Sequence, residues 1–387
     1  MKSVYFDNAA TTKIRKEVVC CMQESMLDNF GNPSSSHAFG RKAKSAVEVA
    51  RKSIGQLLNA EASEIIFTSG GTEADNLVLK SAVKKQGVER IISTKIEHHA
   101  VLNTLLELAS KNQVEINYLD LDQNGNPNLE QLRQLLESSD KKTLVSLMHI
   151  NNEIGNILDL KKVCHLAHQF DALVHSDTVQ SVGHYAIDVK DLGVDYIVAS
   201  AHKFHGPKGV GFAYARKGLG LQSMIFGGSQ EKGYRAGTEN VHSIIGMQKA
   251  LELSLKNLES EKKYITDLKS YFIEQIESKI PGVLFNGESK DLQKSTYTLV
   301  NLSFPVKQSQ SALLLFQLDL KGIACSKGSA CQSGSDQGSF VLNEIYSKER
   351  LEMPGLRFSF SKNNTTEEID YVIDILAVFS ASEKLVV

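Results

Sequence analysis

The chain lacks any apolar run approaching the roughly 18 residues that a membrane-spanning helix needs, and its amino terminus, "MKSVYFDNAATT", has no apolar core of signal-peptide length. It also lacks an excess of charge of one sign. Lys plus Arg number 43 against 45 Asp plus Glu, a formal net charge of -2, so no basic field draws nucleic acid or anionic lipid. Five cysteines in 387 residues are too few, and odd in number, for a disulfide framework. Zinc is disfavoured as well: no C-x2-C pair or H-x3-H set accompanies Cys325 and Cys331, and no metal is expected. A cytoplasmic enzyme-sized protein, bound to neither membrane nor nucleic acid, is the expectation.

What is present is α/β patterning. With 42% hydrophobic and 23% charged residues the chain has the composition of a globular protein. Short apolar runs, "EIIFTS", "ERIIST", "TLVSLMHI", "ALVHSD", "DYIVASA" and "GVGFAYA", alternate with longer amphipathic stretches, which predicts a mainly parallel sheet flanked by helices. Most of these runs end in polar clusters: Ser69-Gly70-Gly71-Thr72, Glu97-His98-His99, Asn151-Asn152-Glu153, Asp177-Thr178-Val179-Gln180 and Ser200-Ala201-His202-Lys203. In a parallel sheet those ends line the ligand crevice, so the clusters should converge. One long helical run follows residue 240, with a charged middle, "ESEKK". Residues 13–259 are expected to form a large domain, and residues 1–12 with 260–387 a smaller α+β domain carrying a Gly/Ser loop over about 324–340.

Three clusters carry chemistry. "TSGGTEADN" places a Gly-lined turn, with Gly70 and Gly71, at a helix start near Thr72; this is either a single-phosphate cradle or a plain turn with Thr as cap. No G-K-[ST] or G-x-G-x-x-G accompanies it, which removes the P-loop and dinucleotide alternatives. Lys203 stands 26 positions after Asp177, each near the end of an apolar run. A strand-end lysine is a surface residue or a desolvated amine able to bond an aldehyde. Together, phosphate cradle, amine and carboxylate meet the demands of pyridoxal phosphate: Lys203 for the aldehyde, Asp177 for the pyridine nitrogen. His98 can cover the ring and relay protons, Gln180 can donate to the phenolate oxygen, and Ser200 and His202 can add phosphate contacts.

The ordered motifs "YFDNAATT", "NFGNPSSSH", "TSGGTEADN", "IEHHAVL", "HINNEIG", "HSDTVQSVG", "SAHKFHGPKGVG", "GGSQEKGYRAGTEN", "GSAC" and "GLRFSFS" run nearly end to end. The sequence thereby resembles the cysteine desulfurases of the NifS/IscS type, class V aminotransferases of fold-type I. The resemblance implies a large domain with a seven-stranded sheet, and a pyridoxal phosphate enzyme converting L-cysteine to L-alanine with a persulfide left on Cys331. It implies cofactor contacts from Lys203, Asp177, His98, Gln180, Gly71, Thr72, Ser200 and His202. Thr238 would reach the phosphate of the neighbouring subunit of a homodimer, and Asn152 and Arg357 would hold the substrate carboxylate. Lys203, His98 and Cys331 would be catalytic. A sulfur-acceptor protein, such as an iron-sulfur scaffold or a tRNA-thiolation relay, would take the persulfide. A selenocysteine lyase or a class V aminotransferase is the alternative.

About 25 residues separate Cys331 from Arg357, which resembles the long-loop, group I branch. Three features depart from the family pattern: Cys325, Lys327 just before "GSAC", and an end at "SEKLVV" without a longer tail. Lys327 either lowers the Cys331 pKa, meets an acidic partner or is solvated. Cys325 is either a small buried residue at the end of "LKGIAC" or a partner of Cys331 in a sulfur relay or regulatory disulfide. Cys20, Cys21 and Cys164 lie in amphipathic helical stretches and are expected to be structural.

Overall fold

A computed structural model describes residues 3–306, 311–328 and 338–382. Its centre is a seven-stranded sheet of β2 (Ile65–Thr68), β3 (Arg90–Ser93), β4 (Glu115–Tyr118), β5 (Thr143–Ser146), β6 (Leu173–Asp177), β7 (Tyr196–Ser200) and β8 (Gly211–Ala215). The strand order is β2-β8-β7-β6-β5-β3-β4, and β8 alone runs antiparallel to its neighbours. All six predicted apolar runs are strands of this sheet. The seventh, β4, carries "EINY" on an edge, part-exposed and with no apolar run to announce it.

Both faces of the sheet are covered, and the period-two alternation shows how. Ile65, Phe67, Ile197, Ala199 and Phe212 enter one apolar cluster; Ile66, Tyr196, Val198 and Ala213 enter the cluster on the opposite face. Each fully buried large side chain contributes about 1.5–3 kcal/mol. On the second face lies α3 (Gly71–Lys84), whose Ala74, Leu77, Val78 and Ala82 are all buried there.

A third apolar cluster joins Val4 and Phe6 to residues far along the chain, including Phe272, Leu302, Phe358 and Ile373. It is built on β10 (Leu299–Ser303), paired antiparallel with β12 (Gly355–Ser359) and β9 (Leu284–Phe285), and on α12 (Thr366–Ser382). The first residues reach it as β1 (Val4–Tyr5), parallel to β11 (Ile323–Ala324). Asp7 then bridges to Ser359.

The helical run after residue 240 is not one helix. It breaks at Asn257 into α8 (Val241–Lys256) and α9 (Leu258–Lys279). The Asn257 side-chain amide donates to the Leu253 carbonyl at 2.8 Å, a local bond that competes with continuation of the helix.

Candidate active site

A cavity of about 200 Å³ opens at the carboxyl ends of the parallel strands. Gly71 and Thr72 after β2, His98 after β3, Asn152 after β5, Asp177 and Gln180 from β6 onward, and Ser200, His202 and Lys203 from β7 onward all line it. Arg357 of β12 closes the far wall. Nine residues from five separated segments of the sheet thus meet one arginine from another sheet.

The turn after β2 has the properties of an anion cradle. Helix α3 starts at Gly71 and its N-cap is Gly70, at φ +155 and without a side-chain cap. Thr72 is therefore not the cap. A Cβ on Gly71 would lie 2.8 Å from Val179 Cγ2, so only glycine fits that approach. Ser200 Oγ lies 3.5 Å from where a Gly70 side chain would begin, which places a hydroxyl at the same turn. With the positive end of the helix dipole beneath it, this wall suits one phosphate.

Deeper in the cavity, Asp177 is buried and accepts the Val179 N–H at 2.9 Å. Burial pushes its carboxyl above the usual range, against the pull of His98 and Lys203. A cation bound against it would ionise it, which is the task set by a pyridine nitrogen. His98 is the N-cap of α4 (His99–Ser110), its Nδ1 accepting the Ala100 N–H at 3.1 Å. In the neutral ring the proton therefore sits on Nε2. Burial lowers the His98 pKa, and likewise takes His202 to about 4, so both rings are neutral at pH 7.

Lys203 reaches back to the start of the chain. Its Nζ donates to the carbonyls of Ala9 at 2.6 Å and Ala10 at 2.9 Å, and Gln180 Nε2 donates to the same Ala9 carbonyl at 3.0 Å. Residues of "YFDNAATT" thus orient the amine through main-chain oxygens, a role that no side chain in the motif announces.

On the wall opposite, Arg357 is 1% exposed; its Nη1 donates to the Asn152 carbonyl at 2.7 Å and its Nη2 to Asp7 Oδ1 at 3.0 Å. Arg357 Nε and Asn152 Oδ1 are buried without a hydrogen-bond partner among the described residues. A donor and an acceptor left unpaired on two residues that both line this cavity suit a ligand that carries both, as an amino acid does. With cradle, carboxylate, amine and these unused groups in one cavity, the residues fit pyridoxal phosphate with an amino acid substrate.

Three acids were given no role by the sequence reading, although Glu97 and Glu153 belong to its strand-end clusters. Asp75 lines the cavity fully buried, its Oδ1 lying 3.3 Å from His175 Nε2. Glu97 is buried and its carboxyl is raised to about 8 by desolvation, although the Met148 N–H and Thr94 hydroxyl both donate to it. Glu153 is fully buried beside Asn152. Each sits in or next to a polar cluster that the sequence exposed, and acidic residues there are the only signal.

Two further residues were expected at the site. Thr238 is exposed and does not line this cavity. Cys331 lies outside the described residues. Cys325 follows β11, packs against the cluster around Phe272 and has its thiol pushed up to about 12 by burial. A thiol so held is protonated at neutral pH and a poor nucleophile. Cys164 is buried, Cys21 half-buried and Cys20 exposed; these and Cys325 are free thiols. No cluster of metal-ligating side chains occurs among the described residues.

The class-V aminotransferase family model matches residues 4–372. The cysteine desulfurase IscS of Dictyoglomus turgidum is 42% identical over 378 residues, covering 97% of this chain and 94% of that protein. Among solved structures, a NifS-like protein superposes with a TM-score of 0.89 at 34% identity, covering 98% of this chain and 100% of the other. SspA in complex with cysteine superposes with a TM-score of 0.80 at 30% identity, covering 93% and 99%.

Proposed function

The chain belongs to the class-V aminotransferase family, and from that premise we propose how its own residues carry out the reaction. The protein is a pyridoxal-phosphate-dependent cysteine desulfurase converting L-cysteine to L-alanine, and it would deliver the sulfur as a persulfide for iron-sulfur cluster assembly or tRNA thiolation. The observation that supports the assignment of roles is the single cavity in which Lys203, Asp177, His98, Gln180, Asn152 and Arg357 meet. Bound there, the cofactor would supply an electron sink that weakens bonds around the substrate Cα and Cβ.

Gly71, Thr72, Ser200 and His202 would hold the phosphate, and Asp177 would keep the pyridine nitrogen protonated. Gln180 would donate to the phenolate oxygen, and His98 would cover the ring. Lys203 Nζ, held by the Ala9 and Ala10 carbonyls, would bond the cofactor aldehyde and, once displaced by substrate, move the Cα proton. His98 Nε2 is the second proton carrier. Arg357 and Asn152 would fix the substrate carboxylate, the planar guanidinium holding two oxygens at once. The Cys331 thiolate attacks the substrate sulfur; the Cβ–S bond breaks, alanine leaves and Cys331 retains S–S–H. Sulfur, electrons and protons balance as cysteine plus thiol giving alanine plus persulfide.

Residues outside the cavity support a homodimer as the working form. Leu27, Phe30, Phe39 and Phe226 are 72, 65, 56 and 85% exposed, and the Phe30 and Phe39 rings lie 5.1 Å apart. Paired exposed rings such as Phe30 and Phe39 are what a second copy can cover, and in such a dimer Thr238 would serve the neighbouring phosphate. Arg51, bonded to Glu231 through two nitrogens at 2.7 and 2.6 Å, holds the segment that leads to Thr238. The persulfide would pass to an iron-sulfur scaffold or a thiolation relay protein. No helix among the described residues is long and apolar enough to cross a membrane, and we place the enzyme in the cytoplasm.

The test is alanine and sulfide release from L-cysteine by the holoenzyme. Cys331→Ala is expected to keep the cofactor's visible absorbance and lose both products. Undiminished desulfuration by that variant, or amino transfer to a keto acid by the parent, contradicts the reading.

A further inference from the structure

The motif "HINNEIG" contributes Asn152 to the scheme above and leaves Glu153 without a part. Glu153 is fully buried. Its N–H donates to Asn151 Oδ1 at 2.9 Å, and its carbonyl accepts from Asn301 Nδ2 at 2.9 Å, so the residue is fixed through its main chain on both sides. Burying a carboxylate is costly unless strong donors meet it, and what meets this one is informative. Ser339 Oγ donates to Glu153 Oε2 at 2.5 Å. A Cβ built on Gly328 would stand 2.8 Å from that same oxygen, so the Gly328 backbone lies close to the carboxylate and a side chain there would displace it.

Gly328 and Ser339 flank the segment that carries Cys331. One oxygen atom is therefore bonded to the chain after it and lies close to the chain before it. Each end is tied further to the substrate wall. Before Gly328, Ser326 exchanges main-chain hydrogen bonds with Arg357 at 3.2 and 2.7 Å, and its hydroxyl donates to Asp7 at 2.7 Å. After Ser339, which caps α11 (Phe340–Ile345), Phe340 stacks 4.4 Å from His99, the neighbour of His98.

We propose that Glu153 is a positioning residue for sulfur transfer: its carboxyl group binds the far end of the Cys331-bearing segment at Ser339 and abuts the near end at Gly328, bringing both to one point fixed relative to Asn152 and Arg357. Chain geometry shows why this matters. Cys331 is three residues beyond Gly328, so its Cα lies within about 11 Å of the Gly328 Cα, whatever the path between. Fixing Gly328 centres that sphere of reach beside the substrate wall. Releasing it lets the sphere drift, and a displacement of about 1 Å from reacting geometry can cost about a hundredfold in rate.

The inference rests on Cys331 as the sulfur acceptor, and its test separates the two. Ser339→Asp keeps a good helix cap for α11 and replaces the hydroxyl that donates to Glu153 with a carboxylate that cannot donate. Holoenzyme receives L-cysteine in a single turnover; substrate binding is read from the cofactor absorbance and transferred sulfur from the mass of the Cys331 peptide. Ser339→Asp is expected to keep half-saturation by cysteine within about twofold while slowing sulfur arrival at Cys331 by about tenfold or more. Adding Glu153→Gln, whose amide can donate to the new carboxylate, is expected to restore transfer to within about threefold of the parent. Parent-like transfer by Ser339→Asp, equal weakening of cysteine binding, or no rescue in the double variant overturns the proposal. If the parent itself forms alanine without sulfur on Cys331, the acceptor assignment fails first and takes this inference with it.

Discussion

Arg357 Nη2 lies 3.0 Å from Asp7 Oδ1, across 350 residues of sequence, and Asp7 accepts the Ser326 hydroxyl through the same oxygen. The guanidinium that would receive the substrate carboxylate is thus held from behind by a carboxylate at the start of the chain. Asp7→Ala leaves Arg357 buried with one anchor, the Asn152 carbonyl. Its KM for cysteine is expected to rise about tenfold, equivalent to about 1.4 kcal/mol, with kcat within about threefold. Steady-state kinetics on holoenzyme checks this; a fall in kcat with unchanged KM contradicts it.

Lys203→Ala removes the amine that the Ala9 and Ala10 carbonyls orient. The variant is expected to retain cofactor and bind cysteine, with turnover down by about a thousandfold or more, the scale of a lost proton carrier. Absorbance titration and alanine assay check the two halves separately. Turnover near the parent's rate would move the role to Lys208.

Glu97 gives a pH dependence with a definite sign. Its folded-state pKa, about 8, stands above the ordinary carboxyl value of 4.5. Between those two values the folded chain binds more protons than the unfolded one, so stability falls as pH rises through this window and is fully present below it. Glu97→Gln keeps an acceptor for the Met148 N–H and cannot ionise. The variant's Tm is expected to exceed the parent's by about 2 °C or more at pH 8, the gap closing towards pH 5. Scanning calorimetry across that range checks it, and a gap that widens on acidification contradicts it.

Glu231 is 6% exposed, holds Arg51 through both carboxylate oxygens and accepts the Phe67 N–H at 2.8 Å. Glu231→Ala leaves the buried guanidinium over the Phe67 ring with Glu48 and the Ile65 carbonyl as its remaining partners, at a cost of about 3 kcal/mol. Because the pair holds the segment leading to Thr238, cofactor retention on dialysis is expected to fall as well. Denaturant unfolding and cofactor content measure the two effects; stability within about 0.5 kcal/mol of the parent contradicts the account.

Much of the fold and the cavity was legible in the sequence because strand ends announce themselves: apolar runs stop abruptly at polar residues, and a parallel sheet gathers those stops. Hence Asp177, Lys203 and Thr72 could be placed in one crevice from sequence alone. Edge strand β4 could not, since "EINY" is half-solvated and lacks the apolar run that marks a buried strand. The break at Asn257 depends on one side-chain amide competing with the backbone. The bonds of Asp7 to Arg357, and of Glu153 to Ser339, join positions with no local pattern between them. Thr238 illustrates another limit: its proposed place is on a second copy.

Cys331 as the sulfur acceptor is the claim on which the rest depends. Holoenzyme treated with one equivalent of L-cysteine, digested without reductant and mapped by mass spectrometry, is expected to show one added sulfur on the Cys331 peptide, matched by one alanine. The Cys325 peptide is expected to be unmodified, as a thiol raised to about 12 requires. Alanine formed with the added sulfur on Cys325, or with no sulfur on the protein, would contradict the account.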